Sequence, residues 1–302
     1  MTTSAIAVSG LRKVYRDEVV LGGIDLDVPA GTVFALLGPT GSGRTTTVDV
    51  LTTVVRPDGG TARVAGHDLV TEAGAVRAAI GVTGRFTAVD ERRTGQENLQ
   101  LTADLKGGPD LLERLDLAGV AKKPVSTYSG GMRRKLDLAM ALAGKPRILF
   151  MDEPTAGLDP RGRHTTWALV RELVADGMTV FLTTQHLDEA EQLADRIAVL
   201  DHGRLVAEGT PGELKRGLPG PHIRLRFATA AQFGAGARIF PESTKDSEAL
   251  ALRVPGDGGP HAVRNVLDRL DEYAVSAEEL SVHTPDLEEV FLALTPELRK
   301  PA

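Results

Sequence analysis

Nine consecutive residues, Gly38-Pro39-Thr40-Gly41-Ser42-Gly43-Arg44-Thr45-Thr46, carry the first chemistry in this sequence. Three glycines within six positions let the backbone curl so that successive N–H groups turn inward on an anion. The apolar run Val33–Leu37 precedes the loop and a helical pattern follows it. A helix N-terminus adds partial positive charge at that point, which suits a phosphate group. The Thr45 hydroxyl falls where it would ligate a magnesium ion. Where such loops carry lysine, this chain has Arg44. A guanidinium keeps the charge but is wider and planar, whereas an ammonium is a compact point charge that reaches β- and γ-phosphates. The residues predict a nucleotide-phosphate site and leave efficient hydrolysis open. A ligand-free glycine turn is the alternative, and the preceding strand, the spacing and the paired threonines weigh against it.

A second constellation follows the apolar run Ile148–Met151, where Asp152 and Glu153 stand together. Open α/β sheets place ligand chemistry at the carboxyl ends of their strands. Asp152 is expected to hold magnesium through water, and Glu153 to act as the general base that orients the attacking water. Alone, the pair would read better as a solvated acidic turn before Pro154; beside the glycine loop, the functional reading wins. The run Met178–Leu182 ends in Thr183-Thr184-Gln185-His186. A neutral imidazole at that edge could hydrogen-bond a γ-phosphate or the attacking water. A lone histidine after a strand is more often a loop residue, and its place at a third strand end is what raises it.

These residues need a scaffold of buried strands. Ile6–Val8, Val19–Val28, Val33–Leu37, Ile148–Met151, Met178–Leu182 and Ile197–Leu200 are short apolar runs bounded by Gly, Pro, Asp or Arg. Helical patterns lie between several of them, one carrying Thr166, Leu169, Val170 and Leu173 on one face. Alternation of this kind predicts an α/β domain with a largely parallel sheet. Leu218-Pro219-Gly220-Pro221 reads as a linker. Beyond it, strand patterns at 223–227, 249–254 and 275–282 accompany two helical stripes, Val263/Val266/Leu267/Leu270 and Leu287/Val290/Phe291/Leu294. The expected domains are 1–220 and a small α+β domain, 221–302, with no catalytic constellation of its own.

Composition narrows the function classes. The 302 residues are 42% hydrophobic and 25% charged, which excludes a disordered chain. A net charge of −6 argues against a whole-protein nucleic-acid binder, and no nucleic-acid partner is expected. There are no cysteines, so disulfide scaffolds, thiolate metal sites and cysteine nucleophiles are ruled out. No run approaches the ~18 apolar residues that span a bilayer, and the N-terminus lacks the pattern of a signal peptide. The sequence is therefore read as cytosolic, serving a membrane only by docking on a partner that spans one.

With these features in place, Tyr128-Ser129-Gly130-Gly131-Met132 resembles the signature motif of ATP-binding-cassette (ABC) transporter ATPases. The glycine loop, Asp152-Glu153-Pro154-Thr155, Ala156-Gly157-Leu158-Asp159-Pro160 and His186 follow the order of that family over residues 4–220. Gly81-Val82-Thr83-Gly84, Thr127 to Arg134, and Thr284 to Phe291 resemble the ATP-binding subunits of bacterial drug-efflux exporters of the anthracycline-resistance type. The resemblance implies a P-loop NTPase cassette with a helical lobe, binding ATP with Mg2+ and hydrolysing it. It implies a transmembrane permease subunit as partner, at the inner face of the cell membrane. A second cassette, identical or different, would pair head to tail. ATP would lie between the glycine loop of one cassette and Ser129-Gly130-Gly131 of the other. Tyr15 would stack on adenine and Asp159 would couple the two sites.

Two departures stand against that pattern. Arg85 occupies the place of a glutamine that touches magnesium, and arginine offers donors but no acceptor. Only 44 positions separate Arg85 from Ser129, short for this family. With Arg44, these departures keep open a degenerate, non-hydrolysing cassette that serves as a binding or regulatory partner. A soluble cassette of DNA repair or translation is disfavoured, because the chain has neither a second cassette nor a long coiled coil. An importer subunit is a further alternative.

Overall fold

The elements that carry the site begin with two long strands, β1 (Ser4–Tyr15) and β2 (Glu18–Pro29), seen in a computed structural model. It describes residues 4–84, 87–102, 108–216, 220–256, 258–283 and 286–294. In β2, Ile24, Leu26 and Val28 point inward while Asp25 and Asp27 point outward, the period of two that a half-buried strand requires. β1 and β2 pair antiparallel and join β4 (Gly59–Val64) and β5 (His67–Asp68) in a sheet of order β2-β1-β4-β5.

The second sheet is the one that matters for chemistry. It contains β3 (Val33–Leu37), β6 (Ile80–Thr83), β7 (Ile148–Asp152), β8 (Thr179–Thr184), β9 (Arg196–Asp201) and β10 (Arg204–Gly209), in the order β10-β9-β3-β8-β7-β6. All neighbours run parallel except the β9–β10 hairpin. Every residue of β3, β7 and β8 is buried, as expected of strands covered on both faces. Phe34 and Phe150 both pack on Phe181, with ring centroids 5.6 and 5.4 Å away. Register decides the site: Leu37 pairs with Thr184, and Asp152 with Thr183, so β3, β7 and β8 end side by side at one edge.

Helices cover this sheet and form a lobe beside it. They are α1 (Arg44–Leu51), α2 (Ala73–Ala79), α3 (Gly95–Thr102), α4 (Gly108–Arg114), α5 (Gly130–Leu142), α6 (Pro160–Ala175) and α7 (Leu187–Leu193), and α8 (Pro211–Lys215) follows β10 in sequence. α3, α4 and α5 pack together as the helical lobe. The inward face of α6 carries Leu169, Val170 and Leu173 as its spacing predicts, with Trp167 added and Thr166 only half-buried. The sequence reading missed β4, β5, β6 and β10, and shortened β1 to Ile6–Val8. The missed strands are glycine-bearing or polar on alternate positions, and pairing rather than hydrophobicity holds them in place.

The chain divides into two compact units, Met1–Pro211 and Gly212–Ala302. The division falls ahead of the expected linker, of which Leu218 and Pro219 lie outside the described residues. The second unit contains β11 (His222–Arg226), α9 (Ala230–Ile239), β12 (Thr244–Asp246), β13 (Ala251–Pro255), α10 (Pro260–Glu272), β14 (Glu279–His283) and α11 (Leu287–Leu294). Its antiparallel sheet, in the order β12-β13-β11-β14, buries Ile223, Leu225, Leu252 and Val254 with Phe227, Phe240, Val266 and Leu270. The expected α10 stripe is corrected here: Val266 and Leu270 are buried, but Leu267 is 46% exposed. Among the described residues, no helix is long and apolar enough to cross a membrane.

Candidate functional site

The glycine loop is shaped by its neighbours. A Cβ on Gly38 would stand 2.3 Å from the Leu200 carbonyl oxygen and 2.6 Å from Ser42 Oγ, so only glycine fits beneath β9. Gly43, at the N-cap of α1, has φ 106°, in the left-handed region that glycine adopts freely. The Ser42 amide donates to the Pro39 carbonyl (3.2 Å), and the Gly203 amide donates to the Ser42 carbonyl (3.0 Å). The loop thus rests on the β9–β10 turn. It borders a cleft of about 340 Å3 whose lining includes Thr40, Gly41, Arg44, Thr45, Glu153 and Gln185. Pro39, Gly43 and Thr46 complete the loop's contribution to that lining.

Asp152 ends β7, and Glu153, the next residue, lines this cleft. The Thr45 hydroxyl donates to Asp152 Oδ2 (3.0 Å), and the Thr183 hydroxyl donates to Oδ1. A hydroxyl and a carboxylate at this distance are hard oxygen donors that suit Mg2+, which is usually completed by substrate phosphates and water. Among the described residues, no group of three His, Asp or Glu forms a metal cage without such help. The charge on Asp152 also acts on Asp49 of α1, whose carboxyl is raised above its usual pKa, first by burial and then by that charge.

Glu153 holds a left-handed backbone, φ 51°, with its amide donating to the Thr183 carbonyl (3.1 Å) and hydroxyl (3.2 Å). Its Oε1 lies 2.6 Å from Arg44 Nη1, each side chain only 8% exposed. That contact is an ion pair without the direction of a hydrogen bond: Arg44 Nη1 and Glu153 Oε2 are both buried with no hydrogen-bond partner. A buried polar atom left unpaired costs about 1–3 kcal/mol. An orphaned cation and an orphaned acceptor therefore meet at the head of a phosphate loop, which suits an anionic group and a water molecule.

Gln185, which the sequence reading did not select, takes the Thr40 hydroxyl at 3.5 Å and lines the cleft. Its signal was its place immediately before His186. His186 opens α7 at the same sheet edge, its amide donating to Thr184 Oγ1 (2.9 Å). Beneath it, Glu189 is fully buried and accepts from the Trp167 indole N–H (3.2 Å). Burial raises the Glu189 pKa, while hydrogen bonding from Thr184 and Trp167 acts the other way.

The signature residues line a separate cleft. Ser129 caps α5, its Oγ accepting the Met132 amide (3.2 Å), and Asp159 caps α6, accepting the Gly162 amide (2.7 Å). With Gly130 and Gly131 they border a cavity of about 740 Å3. The structure thus gathers the loop, Asp152 and Glu153 in one place, and Ser129, Gly130, Gly131 and Asp159 in another. Tyr15, 42% exposed at the end of β1, has Lys13 Nζ 5.1 Å from its ring centre. Arg85 lies outside the described residues.

A further pair escaped the sequence reading. Arg134 of α5 is buried and donates to the carbonyls of Gly84 (2.6 Å), Pro154 (3.0 Å) and Glu153 (3.4 Å). Burial lowers its pKa, with the charges of Asp137, Glu189 and Asp152 opposing. Asp137, 3.6 Å from Arg134, accepts the Ala88 amide (2.9 Å), and burial raises its pKa. Their i, i+3 spacing on a helix was the one visible hint.

The comparisons agree with this geometry. Residues 21–156 match the ABC transporter family. Daunorubicin resistance ATP-binding protein DrrA3 of Streptomyces coeruleorubidus is 47% identical over 311 residues, covering 99% of this chain and 98% of that protein. Daunorubicin/doxorubicin resistance ATP-binding protein DrrA of Streptomyces peucetius is 46% identical over 307 residues, covering 97% of this chain and 93% of its own length. A solved structure described as an ATP binding subunit of an ABC transporter matches with a TM-score of 0.64 at 27% identity, over 71% of this chain and 93% of that one. Nothing in these matches supports a degenerate, non-hydrolysing cassette. The cassettes of this family are ATPases that dimerise and work with a transmembrane permease. This chain belongs to the ABC transporter family, as one of its ATP-binding subunits.

Proposed function

We propose that this subunit drives efflux of a small hydrophobic drug or antibiotic through a separate permease, from the cytoplasmic face of the membrane, by hydrolysing MgATP. The drug class rests on the names of the relatives that match nearly the whole chain. The observation that carries the chemistry is the buried pair at the loop, Arg44 and Glu153, each with an unpaired atom in one cleft.

The roles follow from placement. Loop amides between Thr40 and Thr46, at the start of α1, take the phosphates, with Gly38 and Pro39 shaping the turn. Arg44 leaves Glu153 for a phosphoryl oxygen, preserving charge where lysine is usual. Thr45 and Asp152 would hold Mg2+, which when bound would neutralise negative charge on the phosphates. Glu153, released, accepts a proton from the water that attacks the γ-phosphorus as the bond to the ADP oxygen breaks. His186 hydrogen-bonds the γ-phosphate or that water. Tyr15 stacks on adenine. Ser129, Gly130 and Gly131 of a second cassette close the site, and Asp159 couples the two halves. Residues 1–220 act as the cassette and 221–302 as an accessory domain.

The test uses the subunit co-purified with its membrane partner. Magnesium-dependent phosphate release is expected to fall by about 10^2–10^4-fold in Glu153→Gln, the range that general-base catalysis contributes. Cells carrying the pair are expected to accumulate less doxorubicin than cells carrying the Glu153→Gln form. Equal phosphate release by wild type and variant would end the catalytic reading. Equal accumulation with intact hydrolysis would end the drug assignment.

A further inference from the structure

We infer that Arg134 is a positioning residue for Glu153. Its guanidinium, anchored on α5, holds the backbone on the carboxyl side of Glu153 and ties it to Gly84, just past the end of β6. This rests on the reading of Glu153 as the base.

The peptide at Glu153 needs holding. A residue other than glycine at φ 51° is strained by about 1–2 kcal/mol, and such strain persists only where the surroundings over-determine it. On its amino side the restraint is visible, since the Glu153 amide is taken by both the carbonyl and the hydroxyl of Thr183. On its carboxyl side the restraint is Arg134. Nη2 donates to the Glu153 carbonyl at 3.4 Å and Nε to the Pro154 carbonyl at 3.0 Å. A planar guanidinium that grips two consecutive carbonyls fixes the peptide between them, and with it the direction in which the Glu153 side chain leaves the backbone.

The third nitrogen reaches elsewhere. Nη1 donates to the Gly84 carbonyl at 2.6 Å. One turn along α5, Asp137 accepts the Ala88 amide at 2.9 Å while facing the same guanidinium at 3.6 Å. Two side chains of one helix therefore hold Gly84 and Ala88, and one of them also holds the peptide of the base. A displacement of the Gly84 backbone has a direct mechanical route to Glu153 through a single rigid group. Arg134 does not line the loop cleft, so its effect falls on the aim of the base and not on nucleotide binding.

The experiment measures steady-state ATP hydrolysis by the subunit with its membrane partner, in wild type, Arg134→Lys, Asp137→Asn and the double variant Arg134→Lys/Glu153→Gln. Lysine keeps the charge but loses the planar grip. We expect kcat to fall about 10- to 100-fold in Arg134→Lys, the cost of a misplaced reacting group, with KM for ATP within about twofold of wild type. Asp137→Asn keeps an oxygen for the Ala88 amide and removes the charge that faces the guanidinium, so it should lower kcat less, again at constant KM. The double variant should be no slower than Glu153→Gln alone. An unchanged kcat in both single variants, a fall shared between kcat and KM, or a further loss in the double variant would each overturn the inference while leaving the function standing. Wild type that releases no phosphate beyond Glu153→Gln would overturn both.

Discussion

Two buried guanidiniums in the first unit are held in opposite ways. Arg134 stands 3.6 Å from its carboxylate, and each of its three nitrogens donates to a carbonyl. Arg44 stands 2.6 Å from its carboxylate, and the nitrogen that makes this contact forms no hydrogen bond. Distance alone would rank the second pair as the stronger. Hydrogen-bond accounting reverses the order, because a desolvated ion is stabilised by good geometry on its donors and not by proximity to one charge. The first arrangement is built to stay as it is; the second is built to be exchanged for a better anion.

The largest way to break that contrast is to remove Arg134. Arg134→Met leaves three carbonyls without their donor and the buried Asp137 without its facing charge, and is expected to cost about 3–5 kcal/mol of stability. Urea unfolding of the purified subunit checks this, and a loss comparable to that of Arg44→Met would erase the difference between the two pairs. The next effect is on binding. Arg44→Ala is expected to weaken ATP binding by about 1.5–3 kcal/mol, the worth of a hydrogen bond to a charged group, read by titration with a fluorescent nucleotide. Unchanged affinity would mean that Arg44 serves Glu153 alone.

The smallest effect sharpens the contrast with a third buried acid. Glu189 is held by an indole, and burial raises its pKa. A raised acid favours the folded state fully below its ordinary pKa, and that contribution is lost as pH rises through the raised value. Glu189→Gln fixes the neutral form. Its melting temperature should match wild type near pH 4.5 and exceed it at pH 8, by about 2–4 °C for each kcal/mol relieved. An equal difference at both pH values would show that ionisation of Glu189 costs the fold nothing.

Much of the site was legible because its chemistry is local. The loop glycines, Thr45, Asp152 and Glu153 are fixed by a strand, a turn and a helix that follow one another in sequence. Ser129 and Asp159 were legible only through the resemblance, and the structure adds that each caps a helix. The Arg44–Glu153 contact spans more than a hundred positions and depends on β3 and β7 flanking β8, which no local pattern encodes. Arg134 was hidden because its partners are backbone carbonyls, and a carbonyl leaves no mark in a sequence. β4 was missed because Gly59 and Gly60 supply no apolar side chain, and its pairing with β1 is what makes it a strand. Leu267 looked like part of a stripe, but α10 presents only a narrow face to its sheet.

The carbonyl of Leu200 pressed against Gly38 has a last consequence. The loop takes its curvature from a neighbouring strand, so its mould exists before any guest arrives. Little chain entropy is left to surrender on capture, which favours rapid association. A side chain as small as alanine at Gly38 would deform the mould itself, slowing entry for every nucleotide alike and leaving the preference among bases untouched.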